Sequence, residues 1–107
     1  MSAPDDEKER IRQSMAAIWQ RSLPLIQERL DALDHAAELA AAGTLTAEDR
    51  QAAASNAHKL AGSVGMFGYM EGTELARRLE TTLEAEDLAN PLLLRELSVA
   101  LRAALAL

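Results

Sequence analysis

An all-α fold, an antiparallel up-down-up-down four-helix bundle with an additional N-terminal helix, is what this sequence predicts, on three observations. Ala and Leu abound while β-branched residues are scarce, and aromatics make up only 3% of the 107 residues. That is the makeup of a helical protein. Apolar residues then recur at helical spacing in successive stretches from Ile11 to Leu105, the periodicity of amphipathic helices. Finally, the breaks between the long stretches are short, which makes neighbouring helices antiparallel. A chain of this length is one domain with one core. Residues 1–5 read as a disordered lead and 6–107 as the bundle; Met1 and the polar lead point to a standalone chain.

The first helix is expected over about 6–20, where Ile11, Met15, Ile18 and Trp19 share a face between charges. It is placed across one end of the bundle, with a membrane-surface or partner-binding segment as the alternative. Pro24 suits the first turn of a new helix, where its missing N–H costs nothing. That second helix runs to about Ala42 with Ile26, Leu30, Leu33 and Ala37 as its stripe, and Gly43 supplies the stop. Thr46 is a capping residue, and Glu48 and Asp49 favour the positive end of the helix dipole. The third helix is expected to reach Val64, with Gly65 as the left-handed residue that ends it. A tight Met66-Phe67-Gly68 connection leads into a fourth helix from about Tyr69 to Glu86, carrying Leu75, Ala76, Leu79 and Leu83 on one face. Asn90-Pro91 reads as a cap followed by proline at the first helical position. The last helix, 91–106, shows Leu94, Leu97, Leu101, Ala104 and Leu105 at the required spacing.

Composition also excludes function classes. The absence of cysteine rules out disulfides and thiolate metal sites. A net charge of −6 with both signs interspersed argues against nucleic acid, which wants a clustered basic face. No stretch approaches the length of a membrane span, and the N-terminus lacks the regions of a signal peptide. A soluble cytoplasmic protein is the expectation.

One stretch departs from ordinary bundle composition: Ala57 to Gly68 holds one of two histidines and three of five glycines. On a helical wheel Ala53, Ala57, Leu60 and Val64 define the core face of the third helix, and His58 falls roughly 130° from its centre. Its neighbours on the outer face are Ala54, Ser55, Ala61 and Gly62, with Gln51 about two turns earlier. An exposed helical face normally carries long polar side chains; here it is bare around one histidine. Glycine inside a helix is destabilising by about 1 kcal/mol relative to Ala. At Gly62 the missing side chain leaves room for another molecule beside the ring, whereas Gly65 and Gly68 read as turn residues and Gly72 as a close-approach residue on the core face. Phe67 is expected to plug the core, while Trp19 or Met66, if exposed, offers a dimer seed.

A neutral imidazole is a good nucleophile and forms a labile N-phosphoryl bond. Hydrolytic use of His58 wants a serine, cysteine or carboxylate partner and a pocket, which the sequence does not mark. A buried Glu-x-x-His metal site fails, since Ala32 and Ser55 stand three residues before His35 and His58. A nucleotide loop fails because Gly62-Ser63-Val64-Gly65 lacks the preceding strand and the Lys-Ser/Thr ending. His35, among Asp31, Asp34 and Glu38, reads as an inert surface residue.

The motif resembles the histidine-containing phosphotransfer (HPt) family of phosphorelays. The family pattern, roughly His-x-Leu-Lys-Gly-Ser, a Gly-containing turn and a helix, reads here as His58-Lys59-Leu60-Ala61-Gly62-Ser63, then Gly65-Met66-Phe67-Gly68, then Leu75 and Leu79-Glu80. Ser22-Leu23-Pro24 is also similar, and the resemblance covers roughly residues 15–105. It implies a phosphoryl carrier rather than an enzyme, with His58 taking the group from one response-regulator receiver aspartate to another. It implies no cofactor of its own, with Mg²⁺ and most catalytic groups on the receiver; partners are receiver domains and/or a hybrid histidine kinase, not nucleic acid or membrane. The alternatives are a non-catalytic interaction bundle and the substrate domain of a chemotaxis-type histidine kinase. By the resemblance, Gln51, Ala54, Ser55, Ala61, Gly62 and Gly65 form the receiver-docking surface. One departure stands out: the family's basic residue three positions after the histidine is Ala61 here. Lys59 is the first candidate for positioning the phosphoryl group, and Arg77 or Arg78 a weaker second.

Overall fold

The computed structural model describes residues 3–85 and 90–107, with side-chain environments from residue 6 onward. Among the described residues it contains four helices and no strand: α1 (Ala3–Ala41), α2 (Ala47–Met66), α3 (Met70–Glu84) and α4 (Leu93–Leu105). Each helix packs on its neighbour in sequence, and α4 returns to close against α1. No helix among the described residues is long and apolar enough to cross a membrane. The expected stripes supply the core: Ile26, Leu30, Leu33, Leu60, Val64, Leu79, Leu83, Leu94 and Leu101 are fully buried.

The break expected between a first helix and a second does not occur. Residues 3–41 form one continuous helix with Pro24 inside it, so the additional N-terminal helix is the first half of α1. A proline here removes one ladder hydrogen bond and disfavours the helix interior by about 3 kcal/mol. Packing on both sides of the proline outweighs this: Ile26 is buried in the bundle, and Trp19 is clamped against Phe67 and Tyr69, with ring centroids 5.1 and 4.9 Å away. Ser22 adds a local bond, its hydroxyl donating to the Ile18 carbonyl at 2.8 Å. Further out the helix overhangs, and Ile11 and Ile18 remain exposed. A helix of this length rises roughly 58 Å, which accounts for the 60 × 21 × 18 Å dimensions of the molecule. α1 starts at Ala3, ahead of the expected Asp6, while Met1 and Ser2 of the expected disordered lead lie outside the described residues.

The two tight turns share one chemistry. After α1, Gly43 takes φ +72° and the Thr44 N–H donates to the Leu39 carbonyl at 2.8 Å. After α2, Gly68 takes φ +84° and the Tyr69 N–H donates to the Val64 carbonyl at 3.2 Å. Both are the left-handed glycine stop in which an N–H beyond the helix recovers an orphaned carbonyl. The residue that ends α2 is therefore Gly68, and Gly65, expected in that role, stays helical. Thr46 caps α2 by accepting the Asp49 N–H at 3.0 Å. Asn90 accepts the Leu92 N–H at 3.0 Å, so α4 begins at Leu93 after a turn through Pro91. The expected last residue of the preceding helix, Glu86, lies outside the described residues.

α1 and α4 are clamped by a polar cluster at the core edge. Arg102 donates to Asp34 at 2.6 and 2.9 Å and to Asp31 at 2.7 Å, while the buried Ser98 hydroxyl donates to Asp34. The Asp34 hydrogen bond is the main cause of an Arg102 pKa raised above its ordinary value. Asp34→Ala leaves Ser98 and Arg102 without their shared acceptor. It is expected to lower stability by about 1–3 kcal/mol, read as a shift in the urea midpoint at unchanged slope. An unchanged midpoint would mean the cluster contributes nothing.

Candidate functional site on the face of α2 and α3

α2 and α3 run antiparallel, held in register by cross-helix contacts at both ends. At one end Arg50 donates to the Ala85 carbonyl at 2.8 Å. At the other, a Cβ on Gly65 would lie 3.1 Å from Thr73 Oγ1. That close approach keeps Gly65 in the helix: it seats α3 rather than turning the chain. Gly72 plays the matching part on α3, where a Cβ would meet Leu105 of α4 at 3.0 Å and Val64 of α2 at 3.6 Å.

His58 sits midway along this pair with its side chain 74% exposed. Its Nδ1 lies 2.9 Å from Oε2 of Glu80 on α3, a carboxylate that is only 22% exposed. An ionised carboxylate can only accept, so Nδ1 carries the proton that Glu80 receives. In the neutral ring this tautomer puts the lone pair on Nε2, and no hydrogen-bond partner occupies Nε2 among the described residues. The ring is thus oriented by one helix while projecting from another, with its nucleophilic nitrogen facing solvent.

Ala54 and Ala61 are not solvent-facing neighbours of the histidine, as the wheel predicts: each is only 7% exposed. The wheel considers α2 alone, whereas α3 covers the flank of α2 beside His58 and widens the buried stripe. The two alanines become the floors of shallow grooves on either side of the ring. One, about 530 Å³, is bounded by Arg50, Gln51, Ala54, Ser55, Glu80 and Glu84. The other, about 370 Å³, is bounded by Ala61, Gly62, Arg77, Glu80 and Thr81. Gln51, Ser55 and Gly65 are exposed, and a Cβ on Gly62 would meet nothing within 4 Å. Gly62 therefore leaves open space beside the ring, while Gly65 is fixed by packing.

Lys59 is exposed but borders neither groove; it follows His58 roughly 100° around α2. His35 is exposed on α1, remote from α3 along the groove between α1 and α2. The carboxylate partner of His58 is the residue the sequence does not reveal. Glu80 stands next to the buried Leu79 at the boundary of the α3 stripe, but only folding α3 back along α2 connects it with the histidine. No cluster of three or more His, Cys, Asp or Glu side chains among the described residues is placed to hold a metal ion.

Comparison with known proteins gives one positive finding: residues 9–106 match the model of the family described as Hpt domain. Among curated proteins and among solved structures nothing matches the chain.

Proposed function

Because the chain belongs to the Hpt domain family, the histidine phosphotransfer modules of two-component signalling, we propose that His58 is the residue that carries the phosphoryl group. The observation that carries this reading is the exposed ring whose Nδ1 is held by Glu80 and whose Nε2 is open. In the forward step the Nε2 lone pair attacks the phosphorus of a receiver's aspartyl phosphate. The P–N bond forms as the P–O bond to the aspartate breaks, and the carboxylate leaves with its electron pair. The ring keeps its Nδ1 proton and becomes cationic, and the Glu80 carboxylate 2.9 Å away offsets that charge. Passing the group on reverses these events, returning the electron pair to Nε2. No proton leaves the site in either direction.

The receiver, with its own Mg²⁺, docks on the exposed face around Gln51, Ser55 and Gly62, over the grooves floored by Ala54 and Ala61. Lys59 adds positive charge to that face. Residues 6–107 act as one cytoplasmic carrier with no turnover of its own. The up-down-up-down order is part of the same reading, supported by the pairs Arg29–Ser63, His58–Glu80 and Asp34–Arg102.

Incubation with a phosphorylated receiver and Mg²⁺ tests the reading. Label is expected in an acid-labile, alkali-stable linkage; stable binding without label would leave only an interaction module. Glu80→Ala removes the acceptor for Nδ1–H, freeing the ring to rotate and change tautomer. Transfer is expected to slow about tenfold, the scale of one lost hydrogen bond to a charged group. Glu80→Gln, which keeps an acceptor without the charge, is expected to lie between the two.

A further inference from the structure

The register of α2 and α3 places one cation where a phosphoryl group on His58 needs it. His58 is bonded to Glu80, and Gly65 is in contact with Thr73, whose hydroxyl also reaches the Ala61 carbonyl at 3.5 Å. One turn from His58 towards Gly65 stands Ala61. The corresponding turn from Glu80 towards Thr73 brings α3 to Arg77, so Arg77 stands across from Ala61. Both border the same 370 Å³ groove as the histidine. Ala61 and Gly62 provide no reach into that space, and of the residues bounding it Arg77 alone is cationic. Its guanidinium makes no ion pair or hydrogen bond among the described residues.

A phosphoryl group carries close to two negative charges at neutral pH, by analogy with phosphorylated side chains. Placed on Nε2, beside the Glu80 carboxylate, it brings more negative charge than the single positive charge of the ring offsets, so the site calls for a further cation. A guanidinium offers paired N–H donors matched to two phosphoryl oxygens. Arg77 also lies three residues before Glu80 on α3, the spacing at which helical side chains meet. Lys59 stands roughly 100° around α2 from His58 and borders neither groove. Arg50, in the other groove, is engaged with the Ala85 carbonyl.

We infer that Arg77, supplied by α3, is the cation that contacts the phosphoryl oxygens on His58. This rests on the phosphotransfer reading of His58. The experiment phosphorylates the full chain from a labelled receiver with Mg²⁺, removes the receiver, and follows both loss of phosphohistidine and transfer to fresh receiver. Wild type, Arg77→Ala, Arg77→Lys, Lys59→Ala and Arg78→Ala are compared. Arg77→Ala is expected to lower transfer or shorten the phosphohistidine lifetime about tenfold, with partial recovery in Arg77→Lys and no change in Arg78→Ala. A wild-type profile for Arg77→Ala, with or without a defect in Lys59→Ala, overturns the assignment while leaving His58 as carrier. Failure of the wild-type chain to take label removes both. Because Arg77 is exposed, unchanged melting curves are expected throughout; a lowered melting temperature matched by lost transfer in both Arg77 variants would assign it a structural role instead.

Discussion

His58→Gln is expected to take no label from a phosphorylated receiver, with a loss beyond the detection limit rather than a graded one. An amide nitrogen has no available lone pair, so the reacting group is deleted, not weakened. The fold should hardly register the change. The side chain is 74% exposed, and the Glu80 partner it leaves behind is itself in contact with water. Stability is expected within about 0.5 kcal/mol of the parent, as for surface substitutions generally. Labelling and a thermal melt on the same samples separate lost chemistry from lost structure. His35→Gln is the internal control, since that ring has none of the surroundings of His58, and it should label normally. Acid-labile label persisting in His58→Gln would place the carrier elsewhere.

Gly62→Gln should move stability and function in opposite directions. A helical glycine is destabilising by about 1 kcal/mol relative to Ala, and nothing lies within 4 Å of the Cβ it would acquire. Glutamine is a good helix former, so the melting temperature is expected to rise by roughly 4–8 °C for each kcal/mol gained. The same arm would occupy the space beside the ring through which a receiver reaches Nε2. Transfer is therefore expected to fall at least about tenfold, the scale of misplacing reacting groups by about an ångström, with Gly62→Ala between glycine and glutamine. A glutamine variant that is stabilised and transfers normally would show that the open space serves no partner.

The core was legible because helical periodicity is a local signal. Each of Ile26, Leu30, Leu33, Ala37, Ala53, Ala57, Leu60 and Val64 is buried where its spacing predicts. What resisted reading is set by contacts between distant residues. Pro24 signals a helix start on its own, but Trp19 against Phe67 and Tyr69 keeps α1 continuous through it. Gly65 and Gly68 are equally able to take a left-handed conformation; the seat of Thr73 against Gly65 decides between them. The exposure of His58 followed from one helix alone, whereas Glu80, Arg77 and the burial of Ala54 and Ala61 required a second.

The clamp around Trp19 has an optical consequence. The chain has one tryptophan, one tyrosine and one phenylalanine, and the three rings meet at a single pole. Phe67 lies nine residues beyond His58, roughly 13 Å along the helix axis. Indole emission thus watches the seating of the leading half of α1 and is nearly blind to events on the imidazole, whereas far-ultraviolet ellipticity averages over every helix. On heating, a red shift that precedes the loss of ellipticity would reveal the leading half of α1 peeling away from an intact bundle; coincident curves would mean that this half and the bundle melt as one cooperative unit.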